Sequence, residues 1–451
     1  MFRIFSLLAL TCTPFVAVAA AGAVASAAEP ASRPNVLLIF ADDQGTLDLN
    51  CYGSDDLYTP NLDALARRGV RFTQFYVGAP VCSPSRAALM TGRYPQRAGV
   101  PGNVPSHPGH EGMPTEQLTI AEVLKQAGYR TGLVGKWHLG TVPECSPNGQ
   151  GFDEFFGHKS GCIDNWSHFF YWVPPHFHDL HRNDAEVYED GQHFTELIVR
   201  EARRFLDESQ ARPFFLYLAF NIPHYPLQPY AKYRAMYARK EMTWQRRQYG
   251  AWVSTMDDAI GEVLAKLDAL KLREKTLVVF LSDHGHSIEL RANGGGGNAG
   301  SFRGNKFTLW EGGIRVPCVA SLPGRIPQGE ARAQMALSVD WFPTICEYCG
   351  VDLPQRKLDG KSLARLIESP AAKTPHEVFH WQSGGQWAVR QGDWKLVATT
   401  GRGEARARTE LFLSNMAEDV TETTNIAGEH PEIVEALGDL HKNWVEEVKR
   451  Q

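Results

Sequence analysis

The sequence predicts an α/β fold: a mostly parallel sheet sandwiched between helices, with a smaller C-terminal antiparallel sheet plus helix. Two long stretches, residues 33–41 (RPNVLLIFA) and 213–221 (PFFLYLAFN), are apolar at nearly every position, as strands buried on both faces of a parallel sheet must be. Helical segments alternate with such runs as far as residue 281, the pattern of a sheet covered on both sides. Beyond residue 374 the character changes to short runs with turn signals and a closing helix.

Taken in order, the first residues carry Arg3, an apolar Ala-rich run and the small residues Ala25-Ser26-Ala27. They read as a secretory signal peptide (1–28), removed on the way to the periplasm or the outside, leaving no membrane anchor. The strand of residues 33–41 follows and ends at Asp42-Asp43-Gln44-Gly45. Helices are expected from Thr59-Pro60 to Gly69 and from Thr119 to Gly128, each with a capping residue in front and glycine behind.

Between these helices lies VCSPSRAALMTGRYP, residues 81–95. Pro84 suits the first position of a helix, so a short helix is expected beside Cys82, its free N–H groups near the sulfur and Gly92 as its stop. A strand at 131–135 then ends at Lys136-Trp137-His138, the 213–221 strand ends at Pro223-His224, and a strand at 276–281 ends at Ser282-Asp283-His284. Helices at 196–208 and 243–270 separate them. Residues 387–396 (WAVRQGDWKL) read as a hairpin and 431–449 as the last helix, giving a main domain over 29–374 and a small α+β subdomain over 375–451.

The consequence is geometric. Asp42, Asp43, Lys136, His138, His224, Asp283 and His284 all follow the carboxyl end of a predicted strand, where open α/β sheets place ligands. Three carboxylates, Asp42, Asp43 and Asp283, form a hard oxygen site suited to Ca²⁺ or Mg²⁺, with Cys82 and His284 beside it. With 451 residues, 43% hydrophobic and 22% charged, the chain has the makeup of a globular protein with a large core. A net charge of −5 without a dominant basic cluster gives no sign of nucleic acid as partner, so any anion site must be built locally. Besides Cys12 in the signal and Cys82, six cysteines in an oxidising compartment permit disulfides without specifying pairs.

Cys82-Ser83-Pro84-Ser85-Arg86, continued by Thr91-Gly92-Arg93, resembles the signature of the type I, formylglycine-dependent sulfatases of the alkaline phosphatase superfamily. The segments Phe302–Lys306 and Trp310–Pro317 resemble the part of those enzymes that returns a lysine to the site. The resemblance implies a sulfuric ester hydrolase acting on a sulfated carbohydrate or other sulfate ester. It implies that a formylglycine-generating enzyme oxidises Cys82 to Cα-formylglycine, whose hydrated aldehyde attacks sulfur. It also implies one Ca²⁺, rather than Mg²⁺, on Asp42, Asp43, Cys82, Asp283 and His284.

The same resemblance makes Arg86, Lys136 and Lys306 an anion clamp and Asp283 the base; His224, with Lys306, would protonate the leaving oxygen and His138 would drive the elimination. Lys136, His224 and Lys306 would also bind substrate. Histidine at position 284 stands where many sulfatases carry asparagine, which bears on the choice of metal. A phosphomonoester or phosphonate hydrolase with the same formylglycine is one alternative; an unmodified sulfated-glycan binding protein is another. The stretch 157–182, rich in aromatic and histidine residues, reads equally as a sugar-binding wall or as a packed loop over the sheet edge.

Overall fold

The central strand, Asn35–Asp42, is buried at every position and apolar on both of its faces. Its alternate residues serve two different cores. Val36, Leu38 and Phe40 join one with Ala87 to Met90 of the Cys82 helix, while Leu37, Ile39 and Ala41 join another with residues of the Phe194–Glu208 and Trp244–Ala269 helices. A run without polar positions is therefore what a strand covered by helices on both sides requires.

This computed structural model describes residues 33–400 and 409–449, together with Met1, Phe2 and Ala9; the predicted signal peptide and its Cys12 lie largely outside the described residues. Residues Arg33–Gln451 group as one unit. Among the described residues, no helix is long and apolar enough to cross a membrane.

Ten strands make the main sheet. Phe214–Pro223 and Thr276–Ser282 flank Asn35–Asp42, both parallel to it, and Arg130–Lys136 and Glu154–His158 extend the parallel block. Its edges run differently: Cys318–Ser321 lies antiparallel to Thr276–Ser282, and the short His181–Arg182 lies antiparallel to Glu154–His158. The register between Asn35–Asp42 and Phe214–Pro223 shifts after Phe40, at the end that carries the acidic residues.

A second sheet, Val378–Ser383, Gln386–Gln391, Trp394–Thr400 and Thr409–Asn415, is antiparallel throughout, and the Pro431–Lys449 helix buries Leu437, His441, Trp444 and Val448. The predicted hairpin around Gln391-Gly392-Asp393 is its middle turn. Phe379 and Trp381 of this sheet join the main core beside Tyr76, and Trp381 Nε1 donates to the Val77 carbonyl at 2.8 Å. The seven described cysteines are all unpaired, so the permitted disulfides do not form among them.

Candidate active site

The helix Cys82–Thr91 begins with Cys82 itself, after an extended Val81, and ends where Gly92 takes φ of 65° and donates to the Ala88 carbonyl. Pro84 thus stands in the first turn rather than at the first position, where its missing N–H still costs no helical bond. The start is tied to a neighbouring loop: Ser83 N–H donates to Asn103 Oδ1 at 3.1 Å, and Val104 N–H donates to Ser83 Oγ at 3.1 Å. Ser85 Oγ donates to the Asp283 carbonyl at 2.6 Å, fixing the helix to the end of the Thr276–Ser282 strand.

Around Cys82 the strand ends converge. Its Sγ lies 3.4 Å from His284 Nε2 and 3.9 Å from Asp42 Oδ1. Lys136 Nζ donates to Asp42 Oδ2 at 2.6 Å, and Arg86 Nη2 reaches Asp283 Oδ2 at 3.2 Å and Asp42 Oδ1 at 3.4 Å. Lys306 Nζ donates to both oxygens of Asp43, at 2.8 and 3.0 Å. His224 Nε2 is 3.9 Å from Asp43 Oδ2, and its Nδ1–H donates to the Tyr225 carbonyl at 2.6 Å. Every one of these side chains is buried. His138 lines the same cavity as Cys82, His224 and Lys306, so all ten residues singled out from the sequence meet in one place.

Local backbone makes the convergence possible. Gly135 takes φ of 119° where a Cβ would lie 1.8 Å from the Ala219 carbonyl oxygen, so only glycine lets the strand pass before Lys136. Asp43 and His138 hold positive φ, 67° and 57°, each just beyond a strand end. Gly161 faces the His138 ring; a Cβ there would stand 2.9 Å from Nε2.

Charge is shared unequally. Burial opposes ionisation of Asp42, yet Lys136, His224 and Arg86 hold its carboxyl well below the usual range. Asp283 is pushed the other way, by burial and by Asp42, against the pull of His284 and Arg86. Burial resists the charge on His284, but Asp283, Cys82 and Asp43 push it up to about 9. The Cys82 thiol, though buried, is held well below its ordinary value by Lys136 and Lys306. Burial takes His224 down to about 3 and lowers His138 as well.

One ligand atom from each of Asp42, Cys82, Asp283 and His284 falls within 4.8 Å of all the others. Two buried carboxylates, a sulfur and an imidazole nitrogen thus face one another around one point. The donors fit a divalent cation. Asp43 borders this group, 3.4 Å from His284 Nε2, while its own oxygens are taken by Lys306.

A cavity of about 360 Å³ opens above Cys82, with His138, His224 and Lys306 in its lining. Its upper wall is Pro105, His107, Phe170, Trp172, Val173 and Phe307. Phe170 and Trp172 come from the aromatic stretch, which both faces the cavity and, through His181–Arg182, extends the sheet edge. The packed-loop reading is thus met at the sheet edge, and two of its aromatic rings line the cavity. Residues of the 103–107 loop and Phe307 carried no signal in the sequence, because irregular loops have no period to read.

Known proteins match this arrangement. The family model described as Sulfatase matches residues 34–351, and one described as N-sulphoglucosamine sulphohydrolase, C-terminal, matches 297–450. Arylsulfatase A of Homo sapiens is 36% identical over 93% of this chain and 89% of its own. N-acetylgalactosamine-6-sulfatase of Canis lupus familiaris is 35% identical over 80% of this chain and 71% of its own. The solved structure of Ps i-CgsB in complex with k-i-k-neocarrahexaose superposes with a TM-score of 0.82 at 30% identity, over 92% of this chain and 93% of that one. The chain belongs to the sulfatase family and is a sulfuric ester hydrolase.

Proposed function

We propose that the protein hydrolyses sulfate monoesters on carbohydrates at the Cys82 site, after a formylglycine-generating enzyme has matured Cys82 and export has removed residues 1–28. The observation that carries this reading is the convergence, at the floor of one cavity, of a buried nucleophile position, three fixed cations and a metal-ligating cluster built on two carboxylates and an imidazole. Asp42, Asp283 and His284, with the side chain at position 82, would hold one Ca²⁺, and Asp43 would join them by exchanging its bonds to Lys306 for the cation. The matured residue supplies a hydrated aldehyde as nucleophile, and the cation supplies Lewis acidity toward a sulfate oxygen. We take residues 375–451 as a small subdomain that backs this site.

The chain's own residues do the rest. Arg86, Lys136 and Lys306 present fixed positive charge to the sulfate oxygens, worth most where water is excluded. Asp283, at the end of its strand beside Cys82, would take the proton of the attacking hydroxyl. His224 keeps Nδ1–H on the Tyr225 carbonyl, so Nε2 faces the cavity. An arriving anion raises its low proton affinity, and with Lys306 it then protonates the leaving oxygen. His138, whose Nδ1 has no hydrogen-bond partner, drives release of sulfate. Phe170, Trp172 and Phe307 offer apolar faces to a sugar ring, and Arg291 stacks 3.3 Å over the Trp172 ring to hold it. The complex of Ps i-CgsB with k-i-k-neocarrahexaose supports a carbohydrate as the substrate class.

Matched aryl sulfate and aryl phosphate, run beside sulfated oligosaccharides, test the reading. Sulfate release is expected to exceed phosphate release on the aryl pair, with the highest kcat/KM on an oligosaccharide. After chelation, calcium is expected to restore the rate better than zinc. Faster phosphate release would move the protein to the phosphoester hydrolases, and equal rescue by zinc would contradict the hard-donor site.

A further inference from the structure

Away from Cys82, the histidine-rich stretch gathers a second set of ligating atoms. Asp164 shapes the turn that leads to it: Oδ1 accepts from the N–H groups of Trp166 and Ser167 at 3.0 and 2.9 Å, and His168 N–H donates to the Asp164 carbonyl at 2.9 Å. His168 leaves that turn with φ of 59° and its ring buried. Phe169–Phe170 and Phe177–His178 then pair antiparallel with Phe169 opposite His178, which brings the two imidazoles to 6.1 Å, nearly perpendicular. Gly191 N–H donates to the Trp166 carbonyl at 2.9 Å and returns Asp190 to the same spot.

The tautomers follow from the partners. His168 Nε2 lies 3.1 Å from the Gln192 carbonyl and His178 Nδ1 lies 2.9 Å from Glu186 Oε1. Neither oxygen can donate, so those nitrogens carry the protons, and His168 Nδ1 and His178 Nε2 keep lone pairs. Both lone-pair nitrogens are closed off from solvent without a hydrogen-bond partner, and the two side chains are almost wholly buried, His178 at 4% exposure. One ligand atom from each of His168, His178 and Asp190 falls within 4.8 Å of the others, with His178 Nε2 4.0 Å from Asp190 Oδ1.

Two buried lone pairs and a carboxylate that share no donor are costly, and a cation among them removes the cost. An outer ring N–H pinned to a carbonyl or carboxylate is the arrangement that orients metal-bound imidazole. We propose that His168, His178 and Asp190 form a second metal site, separate from the one beside Cys82, which takes zinc or a similar borderline divalent ion. Two imidazole nitrogens and one carboxylate favour such an ion over calcium, and they leave a position for water. Asp190, 60% exposed, gives the ion its way in, while Tyr188 stacks 4.4 Å over His178. A bound ion would tie the hairpin that carries Phe170 and Trp172 to the loop before the Phe194–Glu208 helix, and so brace the cavity wall.

The test is calorimetric titration of zinc into the full-length protein, with calcium in large excess to fill the Cys82 site, for the wild type, His178→Gln and Asp190→Asn. One zinc per chain is expected in the wild type, with affinity at least tenfold weaker in each variant. No zinc uptake by the calcium-loaded wild type, or either variant binding zinc as tightly as wild type, overturns the site. Zinc bound beside Cys82 instead would survive both substitutions. Should His178→Gln fail to fold, the exposed Asp190→Asn decides alone.

Discussion

Lys136 is the residue whose surroundings say most about the reaction. Wholly buried, it spends its charge on Asp42 Oδ2 at 2.6 Å, while the other oxygen of that carboxylate faces Cys82. Lys136→Ala is expected to lower kcat/KM by roughly 10²–10³, the scale of losing one fixed donor to developing negative charge. Lys136→Arg should not restore it, because a planar guanidinium cannot occupy an ammonium's place between strands. Steady-state kinetics on an aryl sulfate check both. Cys82, Arg86 and the acidic pairs were legible in the sequence because each sits at a motif position or a strand end. Of the upper wall, Phe170 and Trp172 lay in the aromatic stretch, but His107 and Phe307 reach the cavity through loop paths that no local pattern encodes. Nor could the sequence give Gly161 its task of leaving room for the His138 ring.

Between the last helix and the second sheet, two histidines are held neutral. His380 stacks on Trp444 at 5.1 Å and His441 on Trp387 at 4.5 Å. Burial takes His380 down to about 3 and His441 to about 4, whereas the unfolded chain takes up these protons near 6.5. Below that value the unfolded state binds more protons than the folded one, so stability is lost as pH falls from 6.5 toward 4. Hydrogen exchange in the Pro431–Lys449 helix is therefore expected to quicken across that window, after correction for intrinsic rates, sooner than in the Asn35–Asp42 strand. His380→Phe should shift the loss to lower pH; an unchanged profile would contradict the account. Long two-face-buried strands and capped helices were legible as elements, with Thr119 and Glu122 forming a full capping box. Three-residue strands such as Val70–Phe72 were not, because their partners are distant in sequence and their pattern is too short to show a period.

At the scale of the molecule, one core runs from the main sheet into the second one. Phe379 stacks on Trp381 at 6.1 Å, and both rings sit within 6.3 Å of Tyr76. Trp381→Ala is expected to destabilise the whole protein by about 3–5 kcal/mol in a single denaturant transition, the cost of emptying an aromatic site. A separate early transition of the C-terminal sheet would show the two to be independent. The parallel order itself was legible from alternating elements, while the antiparallel edges depend on long-range pairing that composition does not carry. The central claim is that position 82 works as a formylglycine. It is tested most directly by the mass of the peptide carrying Cys82, measured in a sample assayed in parallel on an aryl sulfate. An aldehyde in place of the thiol, with turnover in proportion to the aldehyde fraction and none in Cys82→Ala, is the predicted result. Full turnover by protein whose Cys82 remains a thiol would contradict it.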